Sequence, residues 1–184
     1  MNSKRSISWL LALAAVLIQI AFILSIQARK EWSLRSGKKI TVKIVPVDPR
    51  SVFRGDYIIL NYEFSRLSLG KIMHDKAGLR RGQRVFVTIA KTNGEWQAVA
   101  ASAEHPGKAG ADEIILRGSV TGWPSGNSTE VNYGIESYFV PEGKGKQIEK
   151  DIARRMITAE LSVDKKGYAS VCKILIDGRE IDFR

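Results

Sequence analysis

The stretch VDPRSVFRGDYIILNY, Val47 to Tyr62, holds two arginines, two aspartates, a proline and a glycine, and then a run of alternating strand residues. Pro46 and Pro49 restrict the residues before them and end the preceding strand, while Gly55 permits a sharp re-entry into the next one. In that next strand the period of two sets Asp56, Ile58, Leu60 and Tyr62 on one face and Tyr57, Ile59 and Asn61 on the other. Asp56 therefore shares a face with apolar neighbours, where a carboxylate is costly unless paired. Arg50 and Arg54 are close enough in sequence to pair with it.

Outward from this corner the pattern from Ile40 onward is mostly of period two. Candidate strands are Ile40 to Val45, Tyr57 to Tyr62, Val85 to Ala90, Trp96 to Ala101 and Ile114 to Val120, then Glu130 to Tyr133, Ser137 to Val140, Ile157 to Val163, Tyr168 to Ile176 and Glu180 to Phe183. Asn93-Gly94, Gly167 and Asp177-Gly178 supply hairpin chemistry, because these residue types tolerate the positive φ of tight turns. One short helix is expected at Gly145 to Met156, where Ile148, Ile152 and Met156 recur four apart. His74 to Gln83 and His105 to Asp112 read as loops.

A second stretch, NYGIESYFVPEGKG from Asn132 to Gly145, repeats the grammar of the first: a glycine break, a short aromatic strand, then Pro141. Glu136, Tyr138, Val140 and Glu142 share one parity. If the two stretches meet at one sheet edge, Arg50, Arg54, Asp56, Tyr57, Glu136, Tyr138 and Glu142 form a polar cluster, the candidate binding site of the chain. Structural ion pairing that fixes the corner is the favoured reading of that cluster, over binding or catalysis, since such networks look alike in sequence.

Ahead of the β-rich region, Ile7 to Ile26 is a run of twenty uncharged residues interrupted only by Ser8, Gln19 and Ser25. Twenty helical residues at about 1.5 Å each match the roughly 30 Å hydrocarbon core of a bilayer. The run is longer than a cleavable signal's apolar stretch and enters QARKEW without an A-x-A site, so an uncleaved anchor is expected. The division is residues 1–28 as cytoplasmic tip and anchor, 29–39 as polar linker and 40–184 as β-rich domain. The fold class is α+β, mostly β: a transmembrane helix and one β-rich domain with a short helix.

The net charge of +10 is uneven: residues 1–26 carry +2, residues 27–100 carry +9 and residues 101–184 carry −1. Basicity close to the anchor suits anionic lipid headgroups. No nucleic-acid module accompanies it, and nucleic acid is not an expected partner. Lys4 and Arg5 precede the apolar run while Arg29, Lys30, Arg35, Lys38 and Lys39 follow it, so charge counting alone would put the large domain in the cytoplasm. The lone Cys172 forbids an internal disulfide and reads as a small buried apolar residue. His74 and His105 lie in no ligand-spaced cluster, and no P-loop, GxGxxG or G-x-S-x-G occurs, so neither metal nor cofactor is expected.

At Gly55, Asp56, Tyr57, Leu60 and Tyr62 the sequence resembles the GDYXXLXY domain family, whose name spells this motif. VDPRSVFRGDY and YGIESYFVPEGKG are similar to stretches that recur there, and the resemblance covers about Ile40 to Phe183. It implies a bacterial protein held in the inner (plasma) membrane by one N-terminal segment, with its domain outside the cytoplasm and a multi-spanning membrane protein as possible partner. It implies no catalytic residue and supplies the orientation that charge counting opposes.

The expected function is a membrane-anchored extracytoplasmic binding or accessory module acting with a membrane protein or an envelope component. The alternative is a membrane-anchored hydrolase. One form is a signal-peptidase-like pair of Ser51 with a lysine; the other is a glycosidase using Asp56, Glu136 and Glu142.

Overall fold

The computed structural model of the chain describes residues 13–25, 37–45, 57–74, 79–122, 127–140 and 156–181. Residues 13–25 form helix α1, in which every position is exposed, Ile18, Phe22 and Leu24 among them at 69%, 66% and 62%. Among the described residues no helix is long and apolar enough to cross a membrane. The remainder of the expected Ile7 to Ile26 span lies outside them, as does all of the expected helix at Gly145 to Met156 except Met156 itself, which is not helical.

The rest of the described chain is mostly strand. In order these are β1 (Lys38–Val45), β2 (Tyr57–Ile59), β3 (Asn61–Tyr62), β4 (Arg66–Ser68), β5 (Met73–His74), β6 (Arg84–Thr92), β7 (Glu95–Ser102), β8 (Glu113–Val120), β9 (Ser128–Asn132), β10 (Ser137–Phe139), β11 (Ile157–Val163), β12 (Ala169–Ile176) and β13 (Arg179–Glu180), with a 3-10 turn at Glu63–Ser65. They build a five-stranded sheet, β13-β12-β11-β1-β3, a six-stranded sheet, β4-β9-β8-β6-β7-β5, and a two-stranded ribbon, β10-β2. Pairing is antiparallel except for the short β5, which runs parallel to β7.

Alternation explains which faces meet. In β1, Ile40, Val42 and Ile44 are buried while Thr41 and Lys43 between them are exposed, and in β6 Val85, Val87 and Ile89 are fully buried. Together with Leu116, Val131, Leu161 and Ile174 from both large sheets they form one hydrophobic core. On the outward face of the five-stranded sheet, Lys39, Glu160, Lys173 and Glu180 make a ladder of ion pairs across four strands, at 3.3, 3.7 and 3.5 Å. Each half-exposed pair contributes at most about 1 kcal/mol, so the ladder favours register more than stability.

The tight turns follow their sequence. Asn93 and Gly94 adopt φ of 53° and 88°, and Asp177 and Gly178 adopt 49° and 80°, the left-handed pair of a two-residue hairpin. Tyr168 lies in the turn before β12, and His74, expected to open a loop, ends β5, its backbone pairing with Ala101. Cys172 is partly exposed where the sequence suggested a buried residue: Glu160 opposes Lys173 and Leu161 opposes Val171, so Cys172 is the extra residue of a β-bulge.

Gly118 shows how closely β8 and β9 are packed. A Cβ built there would lie 2.5 Å from Val131 Cγ1 and 2.8 Å from the Asn132 carbonyl oxygen. Gly118→Ala is therefore expected to lower stability by about 1–3 kcal/mol through overpacking. Urea unfolding of the detergent-solubilised chain, followed by tryptophan fluorescence, will show a lower midpoint at unchanged slope.

Candidate functional site

The motif strand crosses from one sheet to another. β2 pairs with β10 through Tyr57↔Phe139, Ile58↔Tyr138 and Ile59↔Ser137, and the Leu60 N–H extends that ladder to the Glu136 carbonyl at 2.7 Å. One residue later β3 pairs with β1 through Tyr62↔Ile44 and Asn61↔Val45. After the 3-10 turn, β4 pairs with β9 through Arg66↔Glu130, Leu67↔Thr129 and Ser68↔Ser128. Ile58, Leu60, Tyr62, Phe64 and Leu67 are all at most 2% exposed, so this segment fills the core while its backbone joins three sheets.

Its aromatic residues are locked to the second stretch. The Tyr62 ring stacks on Phe64 with centroids 5.2 Å apart, and Phe64 meets Tyr133 edge to face at 5.5 Å. Each tyrosine hydroxyl is satisfied across the junction: Tyr62 donates to the Ile135 carbonyl at 2.8 Å and Tyr133 to the Phe64 carbonyl at 2.7 Å. The Tyr62 N–H donates to Ser65 Oγ and to Asn61 Oδ1, each at 3.2 Å, which bends the chain into the 3-10 turn.

Glu136 holds the opposite side. Its Oε1 accepts the Tyr133 N–H at 2.6 Å and its Oε2 accepts the Gly134 N–H at 2.8 Å, while Asn132 Oδ1 also accepts from Gly134 at 3.0 Å. The carboxylate thus closes the turn that carries Tyr133 into the core. Burial pushes the hydroxyls of Tyr62 and Tyr133 far above the ordinary tyrosine range, and the nearby Glu136 charge adds to the effect.

The seven candidate residues fall into three groups. Glu136 accepts a backbone amide on each carboxylate oxygen. Tyr57 and Tyr138 lie on the β2–β10 ribbon, where Tyr138 is half-buried. Burial raises the Tyr138 hydroxyl, with the Glu180 carboxylate as the second cause. Arg50, Arg54, Asp56 and Glu142, like Ser51, lie outside the described residues. Tyr133, Gly134, Phe64 and Ser65 were not singled out in the sequence; the YG pair ahead of Glu136 was the available signal.

Elsewhere, burial raises the Cys172 thiol, with Glu160 adding and Lys39, Lys173 and a Ser162 backbone bond opposing, which disfavours the reactive thiolate. Among the described residues no three histidine, cysteine, aspartate or glutamate side chains gather as a metal site.

The sequence model of the family described as GDYXXLXY protein matches residues 19–174, most of the chain. The chain belongs to the GDYXXLXY family. Neither a curated protein nor a solved structure matches it. In this family member the motif's Leu60 and Tyr62 are core residues, and its Tyr57 pairs with Phe139 through the backbone.

Two outcomes follow from this geometry. Glu136→Gln removes the charge and one of two acceptor oxygens, and is expected to lower stability by about 1–3 kcal/mol; urea unfolding checks it. Tyr62 and Tyr133 keep their protons in the folded chain at pH values where the unfolded chain, titrating near 10, loses them. The stability tied to each is fully present below pH 10 and falls above it by about 1.4 kcal/mol per pH unit. Unfolding of the wild type between about pH 9 and pH 12 will therefore show a steepening loss, and Tyr62→Phe will show a shallower one.

Proposed function

We propose that this protein is a membrane-anchored accessory module: the apolar N-terminal helix holds it in the bilayer, and the β-rich domain outside the cytoplasm docks onto a multi-spanning membrane protein or an envelope component. One observation carries the reading. Helix α1 exposes Leu13, Val16, Leu17, Ile18, Ile20, Phe22, Ile23 and Leu24, each at 48% or more, in a segment whose only polar residues are Gln19 and Ser25. A helix apolar on every side needs an apolar medium around it, and lipid is the medium that a sequence of this length and composition suits.

The domain side of the reading rests on where its conspicuous residues go. The motif tyrosine Tyr62 and Glu136 serve packing and turn closure. β2 and β10 are antiparallel with Tyr57 opposite Phe139. Arg50, Arg54, Asp56 and Glu142 lie outside the described residues, and with Tyr57 and Tyr138 of the ribbon they are proposed as a polar contact surface. The basic residues that follow the helix suit anionic headgroups.

Membranes washed with high salt and urea at neutral pH test the anchor, and protease added to intact spheroplasts tests the side. The chain is expected to stay in the membrane fraction and to lose its domain to external protease. Release of the intact chain into the wash, or full protection from protease until lysis, would overturn the reading.

A further inference from the structure

The Val120 end of the six-stranded sheet collects positive charge in excess. Val120 accepts the Gly82 N–H at 2.7 Å and donates to the Gln83 carbonyl at 2.9 Å, which sets the turn at 80–83 beside this end of β8. That turn is closed on itself: the Gln83 N–H donates to the Arg80 carbonyl at 3.0 Å, and the Arg80 N–H to Gln83 Oε1 at 2.9 Å. Arg84 then opposes Ser119, Ser119 opposes Asn132, and two residues back along β9 Glu130 opposes Arg66. Each of these is exposed next to a buried strand neighbour, Val85, Val120, Val131 or Leu67, so all share the outer face. Lys71 follows just past β4, its N–H on the Ser68 carbonyl at 2.9 Å.

Arg66, Lys71, Arg80 and Arg84 are exposed, and none has a carboxylate within ion-pair distance among the described residues. Arg81 lies in the same turn, and Arg117 sits one row further in, opposite Phe86. The acidic groups are Glu130 and Glu104, the latter two residues beyond the Ser102 that opposes Phe86. Even with Glu63 of the 3-10 turn ahead of β4 counted, three carboxylates stand against six cations. The adjoining sequence does not restore the balance, since residues 75–78 hold one aspartate and one lysine and residues 123–126 hold no charge. The opposite end of the sheet is mixed: Lys43 pairs with Glu95 at 3.1 Å, and Lys38 and Lys165 share a groove with Glu113 and Asp164.

A surface with charge mainly of one sign suits an anionic partner, and two features favour lipid over protein. Of the described large apolar side chains exposed outside α1, namely Phe139, Met156 and Tyr168, none lies on β4, β6 or the turns that carry these cations. The apolar anchor that centres a protein interface is therefore missing from the described part of this end. The chain also keeps headgroups within reach at all times. Thirteen residue steps separate Ser25 of α1 from Lys38, which donates to the Ala111 carbonyl near the far end of β8. Such a connection spans at most about 45 Å, whereas β8 rises about 24 Å from that end to the Arg84 end.

We infer that this end of the sheet rests on anionic phospholipid headgroups of the bilayer that holds α1, with Arg66, Lys71, Arg80 and Arg84 against the phosphates. Each basic residue close to such a surface strengthens contact about fivefold, and the effect fades beyond a Debye length. Three of the four are arginines, whose planar fork matches phosphate oxygens. The inference rests on the anchored reading above and adds to it the face of the domain that meets the membrane and the lipid chemistry that face requires.

The test uses the full chain in lipid nanodiscs of phosphatidylcholine, with or without about 30% phosphatidylglycerol, and a quencher carried on a headgroup. In a Cys172→Ser background a dye is attached at this end through Ser68→Cys, or at the other through Ala111→Cys. Quenching at position 68 is expected to be about threefold or more stronger with phosphatidylglycerol, and to fall to the phosphatidylcholine level at about 1 M salt. Arg80→Glu combined with Arg84→Glu should abolish the difference, and Arg80→Lys combined with Arg84→Lys should keep it. No difference between the lipids at position 68, a larger difference at position 111, or a difference that survives the glutamate pair would overturn the inference while the chain stays in the discs. Loss of the chain from the discs would refute the anchor itself, and the inference with it, so the two failures are told apart.

Discussion

Residues 57–68 must satisfy three sheets within a dozen positions, and the rest of the domain is arranged around that demand. Each of β2, β3 and β4 is too short to be stable as an isolated pairing, with two or three residues apiece. What holds them is that the side chains between their ladders, Ile58, Leu60, Tyr62, Phe64 and Leu67, are the centre of the core. Backbone pairing and burial therefore depend on each other: losing any one ladder would move apolar residues that the other two need. A 3-10 turn fits here because it shifts the chain from the five-stranded sheet to the six-stranded one in three residues.

The second stretch completes that junction by making its polar atoms safe to bury. Two tyrosines place hydroxyls in an apolar core, which is unfavourable unless each finds an acceptor. Each does so on the other's segment: Tyr62 on Ile135, Tyr133 on Phe64. Glu136 then holds the turn that aims Tyr133, through amide contacts on both carboxylate oxygens. A motif made of glycine, aromatic residues and acids can resemble a catalytic constellation, yet the part described here is a joint. Its chemistry is hydrogen-bond completion, and this is why the functional reading turns to surfaces.

Much of the fold was legible because period-two burial leaves a direct trace. Ile157 to Val163 is legible to the residue, and Ile58, Leu60 and Tyr62, which the period of two sets on one face, are all buried. The Asn-Gly and Asp-Gly hairpins were readable from the need for positive φ. β4 and β5 were missed, since three-residue and two-residue strands are fixed by partners distant in sequence and carry too few positions to show a period. Reading Tyr57 to Tyr62 as one strand hid the change of partner at Leu60, which only tertiary structure decides. Glu136 was recognised as special but its partners were not: carboxylate-to-amide bonding three residues back looks in sequence like a charge awaiting an arginine.

Amide hydrogen exchange of the detergent-solubilised full chain under native conditions tests the central claim most directly. If residues 57–68 are the junction on which all three sheets depend, the amides of Leu60 and Tyr62 can open only when the whole domain unfolds. Their opening free energy will then equal the unfolding free energy from urea denaturation, and both will fall together as urea is added. Exchange of these two amides through a local opening well below the global value, with the strands of the two large sheets still protected, would contradict the account.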